Sequence, residues 1–268
     1  MTAHAEKARR FHALHHAGRI LVLPNAWDAA SARVFELAGA LAIATTSAGV
    51  AASLGYPDGE RVPRALVIEA VKRIVAAVDV PVSVDVEAGY DDVRETVRAV
   101  VEAGGVGVNL EDALADPDVL VDRIRVAHET AAELGVPLFV NARTDVYLRS
   151  SADPVAKLGN AVRRLRAYET AGADGLFAPG LGEPATIREL VAAVGRPLNI
   201  LAGAGVPPAR ELERLGVARV SVGSGPMRAT LGLVRRIAER LLGDGTYDAF
   251  LADAPSHADV NAMLATVR

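Results

Sequence analysis

Short apolar runs alternate with longer stretches of helical periodicity along almost the whole of this chain of 268 residues. Eight of the runs have the character of buried strands. These predicted strands are 20–23, 41–45, 82–85, 106–110, 138–142, 175–178, 198–201 and 219–222. The stretches between them are helical in period, and several stop at glycine, as at Gly135, Gly195 and Gly216. This alternation predicts parallel strands joined by crossover helices.

Eight such units within this length predict a TIM (β/α)8 barrel, formed as a single domain over residues 1–268. The rival is an open, doubly wound sheet, whose first strand is usually followed by a glycine-rich loop. Here residues 24–28 read Pro-Asn-Ala-Trp-Asp, without glycine, and we therefore favour the barrel. We expect a leading helix over about residues 5–17 to cap the barrel bottom. A helical tail over about residues 243–268 carries apolar side chains that need a partner surface.

Composition excludes several classes of function. The chain has no cysteine, which rules out disulfides, thiolate nucleophiles and zinc–thiolate sites. Its formal net charge of -4, without a long basic run, argues against a nucleic-acid partner. We find no signal peptide and no apolar stretch long enough to span a bilayer, and we expect a cytoplasmic protein. His12, His15 and His16 are expected to be exposed on the leading helix, so we predict no histidine general base.

Charged side chains cluster where three consecutive predicted strands end. They belong to Asp85, Glu87, Glu111, Asp112, Arg143 and Asp145. In a barrel the carboxyl ends of the strands meet at one mouth, which is where barrel enzymes place their active sites. Neighbouring carboxylates repel one another unless a cation or a proton lies among them, and a hard divalent ion with oxygen ligands is the natural occupant. An arginine beside such an ion can hold an anionic substrate in bidentate fashion.

Structural roles are the alternatives for each of these residues. Asp85 could cap the helix that follows it, and Glu111 could be a solvated loop charge. Arg143 could form an ion pair with Asp145 that serves only the fold. The joint position of these charges at matching ends of consecutive strands favours a functional site. Asn199, at the end of a later strand, is a further predicted substrate contact.

Five short motifs resemble those of the isocitrate lyase and phosphoenolpyruvate mutase superfamily. They are Thr46-Ser47-Ala48-Gly49-Val50, Ser53-Leu54-Gly55-Tyr56-Pro57-Asp58, Val84-Asp85-Val86-Glu87-Ala88-Gly89-Tyr90, Asn109-Leu110-Glu111-Asp112 and Asn141-Ala142-Arg143-Thr144-Asp145. The resemblance covers about residues 23–222. The segment at 24–28 is most similar to the oxaloacetate decarboxylase-like branch.

The resemblance implies a TIM barrel that binds Mg²⁺ or Mn²⁺. It implies that Asp85 binds the metal directly and also faces the substrate. The residues implied to hold the water shell of the metal are Asp58, Glu87 and Glu111. Those implied to hold a substrate carboxylate, by backbone and hydroxyl donors, are Thr46, Ser47, Ala48 and Gly49. Arg143 would contact the substrate and stabilise developing enolate charge. The predicted catalytic residues are therefore Arg143, Asp58 and Glu111, and Tyr56, Asp58 and a metal-bound water are the candidate proton donors.

Two departures from the superfamily narrow the predicted reaction. The lyases carry a loop with a catalytic cysteine after the strand-four glutamate, whereas residues 113–118 here read Ala-Leu-Ala-Asp-Pro-Asp. The Lys-Thr-Asn loop of the mutases and phosphonopyruvate hydrolases is also missing. We therefore predict a metal-dependent carbon–carbon lyase or decarboxylase acting on a small 2-oxo or 2-hydroxy acid such as oxaloacetate, through a metal-stabilised enolate. The alternatives are P–C bond chemistry and a barrel that binds 2-oxo acids without turning them over.

The resemblance also suggests an assembly. Members exchange the last barrel helix between subunits, and we accordingly expect a homodimer or a homotetramer with an exchanged C-terminal helix. The predicted partners are thus a small dicarboxylate or 2-oxo acid substrate and further copies of the chain, with no nucleic acid and no membrane.

Overall fold

The chain folds into parallel strands surrounded by helices, and the computed structural model describes residues 2–251 and 253–265. The strands are β1 (Leu21–Leu23), β2 (Asn25–Ala26), β3 (Ile43–Thr45), β4 (Val82–Asp85), β5 (Gly107–Glu111), β6 (Phe139–Arg143), β7 (Gly175–Phe177), β8 (Leu198–Leu201) and β9 (Arg219–Ser221). The helices are α1 (Ala3–His15), α2 (Ala29–Leu37), α3 (Ser47–Ser53), α4 (Arg64–Ala77), α5 (Val93–Glu102), α6 (Pro117–Glu133), α7 (Val146–Arg149), α8 (Pro154–Thr170), α9 (Pro184–Ala193), α10 (Ala209–Arg214), α11 (Gly225–Gly243), α12 (Asp248–Leu251) and α13 (His257–Leu264).

The strands close into a barrel through a first strand that is split in two. The strand order is β1-β9-β8-β7-β6-β5-β4-β3-β2, and all pairs are parallel. Pro24 separates β1 from β2 because it has no backbone N–H to contribute to a ladder. Its carbonyl oxygen still accepts a hydrogen bond from the N–H of Ala44, at 2.9 Å. Since β1 pairs with the last strand and β2 with β3, the predicted TIM barrel is confirmed.

The observed elements follow the predicted ones with small shifts at their ends. Two short helices were not predicted: α3, which begins directly after β3, and α7, which begins directly after β6. Both lie at the carboxyl ends of strands, where the chain turns over the barrel mouth. Thr46 is the N-cap of α3, and its hydroxyl accepts from the N–H of Gly49. Gly49 is required there because an added Cβ would lie 2.5 Å from Cγ2 of Thr46.

Helix α1 lies across the amino ends of the strands. Phe11 is fully buried, and its ring packs edge-on against that of Phe139, the first residue of β6, at 5.3 Å. The prediction that His15 is exposed is wrong, because this side chain is 5% exposed and stacks on Phe139 at 4.0 Å. Burial, with a contribution from the charge of Arg219, lowers the pKa of His15 to about 3. His15 is therefore a neutral part of the barrel floor, far from the mouth.

The last long helix leaves its apolar side chains uncovered. Of the residues of α11, Met227 is the one that is buried, whereas Leu231 and Val234 are more than half exposed. The tail beyond it returns to its own barrel, since α13 packs on α2 and the carbonyl of Met263 accepts from Nε of Arg33 at 3.2 Å. The predicted tail also includes residues 252 and 266–268, which lie outside the described part of the chain. Within that part, no helix combines the length and apolarity that crossing a bilayer requires.

Candidate active site

A cavity of about 260 Å³ opens at the carboxyl ends of the strands. Of the residues predicted from the sequence, those that line it are Thr46, Ser47, Ala48, Asp58, Asp85 and Arg143. The other lining residues are Asn25, Asn109, Leu148, Phe177, Pro179, Leu201, Ser221, Gly223 and Ser224. The lining thus combines polar and charged groups with the apolar side chains of Leu148, Phe177 and Leu201. The strand-end argument also points to Asn109 and Ser221, but position alone does not tell a cavity contact from a structural amide or hydroxyl.

Asp85, the last residue of β4, has one carboxylate oxygen engaged and one free. Its Oδ2 accepts a hydrogen bond from the backbone N–H of Ser47 at 3.1 Å, and its own N–H donates to Oγ1 of Thr45 at 2.9 Å. Its Oδ1 is buried and has no hydrogen-bond partner within residues 2–251 and 253–265. A buried carboxylate oxygen without a donor is costly unless a cation or a ligand satisfies it. The alternative that Asp85 caps a helix is not what we observe, because Asp92 caps α5.

Glu87 lies in a strained turn just beyond Asp85. Its backbone φ of 53° is in the left-handed region that favours glycine. Its Oε2 accepts from the N–H of Glu60 at 2.8 Å, while Oε1 of Glu60 accepts from the N–H of Tyr90 at 2.7 Å. These bonds join the loop that carries Asp58 to the loop after β4. Burial raises the pKa of Glu87 to about 7, and the neighbouring carboxylates of Asp58 and Asp85 add to that rise.

Glu111 and Arg143 stand opposite each other at the ends of β5 and β6. Nη1 of Arg143 lies 2.8 Å from Oε2 of Glu111, and its Nε donates to Oδ1 of Asp145 at 2.7 Å. The guanidinium also lies over the ring of Phe177, 5.9 Å from its centroid. Burial raises the pKa of Glu111 to about 8 although the charge of Arg143 opposes the rise. The ion pair considered as a structural alternative is therefore present, and Arg143 lines the cavity as well.

Asp112 connects these residues to the outer helices. Its carboxylate accepts from the hydroxyls of Thr144 at 2.7 Å and Tyr168 at 2.8 Å, and from Nη1 of Arg164 at 3.0 Å. It also accepts from the backbone N–H groups of Leu114 and Asp145. The bond from the N–H of Leu114 ties the loop after β5 to this carboxylate, and Ala113 and Leu114 in that loop both have positive φ. By holding Asp145, Asp112 fixes the residue that orients Arg143.

Five of the residues predicted to have a role in the site do not line the cavity, and one of them is Tyr56, a candidate proton donor. Glu87 and Glu111 are outside the cavity lining and contact the N–H of Glu60 and the guanidinium of Arg143, as described above. Gly49 packs against Thr46 inside α3. Asn199 is 1% exposed, and its carboxamide both donates to and accepts from the hydroxyl of Ser221, at 3.1 and 3.3 Å.

The donor set suits a hard divalent cation. All the acidic residues named here offer carboxylate oxygens, and Oδ1 of Asp85 is the buried oxygen that lacks a partner. Among the described residues, no three acidic or histidine side chains are arranged closely enough to ligate one ion together. Asp85 could therefore supply one direct carboxylate contact, with water in the other positions around the ion. Mg²⁺ in proteins commonly keeps several of its waters.

Comparison with known protein families gives a match over most of the chain. Residues 11–242 match the family described as phosphoenolpyruvate phosphomutase. This range includes every residue discussed above as part of the cavity or of its supporting network.

Individual relatives agree with that match. An uncharacterized protein of Mycobacterium tuberculosis H37Rv is 41% identical over 88% of this chain and 89% of its own length. An oxaloacetate decarboxylase of Rhodopseudomonas palustris TIE-1 is 30% identical over 79% of this chain and 78% of its own. A 2-methylisocitrate lyase of Escherichia coli K12 is 30% identical over 75% and 72%, respectively. A crystal structure from Burkholderia cenocepacia J2315, provisionally assigned as a phosphonomutase, superimposes with a TM-score of 0.84 at 45% identity, covering 87% of this chain and 99% of that one.

Proposed function

Because this chain belongs to the phosphoenolpyruvate phosphomutase family, within the isocitrate lyase and phosphoenolpyruvate mutase superfamily of lyases and mutases, we propose that it is a divalent-metal-dependent carbon–carbon lyase or decarboxylase. Its substrate would be a small 2-oxo or 2-hydroxy carboxylic acid such as oxaloacetate. The observation that carries the proposal is the free, buried Oδ1 of Asp85 in the same cavity as the guanidinium of Arg143. The carboxylate oxygen of Asp85 suits a cation and the guanidinium of Arg143 suits an anion. Together they suit a carboxylate that is bound to a metal ion.

Separate groups of residues would hold the metal and the substrate. Asp85 would hold the metal, with Asp58, Glu87 and Glu111 orienting its water shell. When bound, a divalent cation supplies Lewis-acid stabilisation of negative charge on the substrate. The short helix α3 brings Ser47 and Ala48 to the cavity, where the hydroxyl of Ser47 and the N–H of Ala48 would hold the substrate carboxylate. Its position is coupled to the metal ligand because the N–H of Ser47 is bonded to Asp85.

Arg143 would stabilise the charge that develops when the C–C bond breaks. Two of its nitrogens are occupied by Glu111 and Asp145, which fixes the plane of the guanidinium before substrate arrives. Preorganised charge of this kind needs no reorganisation during the reaction. No nucleophile on the protein is required. Of the candidate proton donors from the chain, Asp58 lines the cavity, whereas Tyr56 does not, so Asp58 is the donor we favour.

Turnover of oxaloacetate tests the proposal. Protein stripped with EDTA and then supplied with Mg²⁺ or Mn²⁺ should release pyruvate and CO₂ from oxaloacetate faster than the metal alone does. Asp85→Ala should abolish the difference. Binding of 2-oxo acids without metal-dependent turnover of any of them would instead support a binding barrel.

P–C bond chemistry is the second candidate, supported by the 45% identity to a protein provisionally assigned as a phosphonomutase. The same cavity would then bind a substrate that carries a phosphonate where oxaloacetate carries its second carboxylate. Phosphonopyruvate as substrate separates the two candidates, because a lyase or decarboxylase leaves it intact whereas a mutase or hydrolase consumes it.

We further propose that the active form is a homo-oligomer in which α11 packs on the barrel of a second copy. A groove of about 400 Å³ lies beside β1, between α1 and α2, and is lined by apolar residues such as Ile20, Phe35 and Leu41. Val22, on the outer face of β1, is 51% exposed there, although in a barrel the last helix normally covers this strand. The uncovered apolar side of α11 is the complement to this groove. Exchange between two copies satisfies both surfaces at once. The cytoplasmic location expected from the sequence stays a prediction.

A further inference from the structure

Two asparagines and one arginine form a polar layer inside the barrel, directly beneath the cavity. Asn109 on β5 and Asn141 on β6 are opposite each other in the strand register. Nδ2 of Asn141 donates to Oδ1 of Asn109 at 2.8 Å. Nη2 of Arg219, on β9, donates to the same oxygen at 3.3 Å. Both neighbours present donors, so the atom of Asn109 that faces them must be its oxygen.

The amide nitrogen of Asn109 is therefore turned away from this layer. Asn109 is 5% exposed and lines the cavity. For Nδ2 we find no acceptor within residues 2–251 and 253–265. The carboxamide thus has a fixed orientation with its donor end available at the cavity, and Asn109 lies directly opposite Asp85 in the β4–β5 register.

Arg219 adds a buried positive charge below this donor. It is 1% exposed, has no carboxylate within ion-pair distance in the described part of the chain, and leaves Nε and Nη1 without partners. Burial lowers the pKa of Arg219 to about 9, while the charge of Asp85 acts in the opposite direction. An unpaired buried cation is destabilising, so a buried arginine without a carboxylate partner indicates a role other than stabilising the fold. In a low-dielectric interior its field favours an anionic group in the space above it.

We propose that Asn109 is a substrate-binding residue, whose Nδ2 donates a hydrogen bond to an anionic oxygen of the bound 2-oxo acid, and that Arg219 is the positioning residue that holds the carboxamide in this orientation. The inference rests on the proposed function and deepens it. It assigns the amide contact to Asn109 and not to Asn199, whose carboxamide is already satisfied at both ends by Ser221.

Oxalate is a suitable probe because it presents two adjacent carboxylates, resembling the carboxylate and oxo oxygen of a 2-oxo acid. We would titrate oxalate into the full chain in excess Mg²⁺ by calorimetry and record the melting temperature of each variant. Asn109→Leu should weaken oxalate binding about tenfold or more, the factor expected for a lost hydrogen bond to a charged oxygen. Asn199→Leu is the matched comparison, with equal chemistry and burial, and should lose less affinity.

Two further variants keep the test independent of folding. Asn109→Asp places a carboxylate against Arg219, whose charge offsets the repulsion from the facing Asp85. In excess Mg²⁺ the melting temperature should therefore be retained while oxalate binding is lost. Arg219→Met removes the buried charge and should not lower the melting temperature. It should nevertheless weaken oxalate binding several-fold, and adding it to Asn109→Leu should cause no further loss, because both act on one contact.

These measurements distinguish a failure of the proposed function from a failure of the Asn109 assignment alone. If the wild type fails to bind oxalate with Mg²⁺, the proposed function is wrong and this inference falls with it. If the wild type binds oxalate and well-folded Asn109→Asp binds it equally, the inference alone is wrong. A greater loss in Asn199→Leu than in Asn109→Leu would also overturn it, and would restore Asn199 as the substrate contact.

Discussion

The guanidinium of Arg143 lies 2.8 Å from the carboxylate of Glu111, and the two residues are exact neighbours in the register of β5 and β6. The pairing follows from the fold, since equal positions on adjacent parallel strands point to the same side of a sheet. It leaves Arg143 with two acidic neighbours, Glu111 and Asp145, neither of which lines the cavity. The pair therefore sets the orientation of the one cationic side chain that lines the cavity within the described residues.

Arg143→Lys should lower the turnover rate with little change in melting temperature. Lysine keeps the charge but cannot engage two carboxylates and a substrate with a planar fork. We expect kcat to fall on the order of 100-fold, as when a preorganised donor to a developing anion is removed. Arg149→Lys is the matched control, since Arg149 also donates to Asp145, at 2.8 Å, but lies outside the cavity. A large drop in melting temperature with normal kinetics would assign Arg143 to the fold.

Asp85→Ala should remove most of the affinity for Mg²⁺, because Asp85 provides the free buried oxygen. The loss, measured by calorimetry, should exceed the roughly 10- to 100-fold effect of residues that only orient a ligand. Asp91→Asn, an exposed acidic residue on the following loop, is the control for a general change in charge. Unchanged Mg²⁺ affinity in Asp85→Ala would mean that the metal site lies elsewhere.

The metal-free protein should lose stability as the pH rises towards 8. The folded-state pKa values of Glu87 and Glu111, about 7 and about 8, lie above their ordinary value of 4.5. From about pH 4.5 up to these raised pKa values, the folded chain holds protons that the unfolded chain has released. The free energy of unfolding therefore falls as the pH rises through this window. Excess Mg²⁺ should offset the fall, because the ion binds the deprotonated carboxylates.

Melting temperatures in EDTA and in Mg²⁺, measured across this pH range, check that expectation. The informative quantity is the difference between the wild type and Glu87→Gln/Glu111→Gln, since other acidic residues contribute to both. The double variant should show a flatter dependence in EDTA. An identical slope in the two proteins would show that these glutamates titrate near their ordinary value.

Much of the candidate site could be predicted from the sequence, because the carboxyl ends of all strands in a barrel lie at the same end of it. Asp85 and Arg143 could be placed at a common cavity from their strands alone. The orientation of Asn109 could not, because it depends on Arg219, which is 110 residues away in the chain and carries no local signal. The helix α3 was missed because Ser47–Ser53 is short and mostly small residues. The burial of His15 was missed because α1 shows a weak apolar pattern, and its contacts come from β6.

Asp112 should prove more important for stability than the exposed acids near it. Its buried carboxylate is shared by Thr144, Arg164 and Tyr168, so Asp112→Ala leaves a buried cation and two hydroxyls without their acceptor. We expect a loss of about 3 to 5 kcal/mol in the free energy of unfolding, measured with urea. Asp116→Ala, which removes only the exposed N-cap of α6, should cost about 1 kcal/mol. Equal effects of the two substitutions would contradict the network's role.

The final prediction concerns α11 and the groove beside β1. In a single copy, Leu231 and Val234 are 55% and 58% exposed, so replacing both by glutamate should leave the barrel intact. If α11 packs on a second copy, the same substitutions bury two charges without partners and should dissociate the assembly. Sedimentation velocity should show an oligomer for the wild type and a folded monomer for Leu231→Glu/Val234→Glu. Val155→Glu, at a valine 82% exposed on α8, should remain oligomeric. A well-folded wild-type monomer at micromolar concentration would rule the exchange out, and the apolar side of α11 would then need another partner.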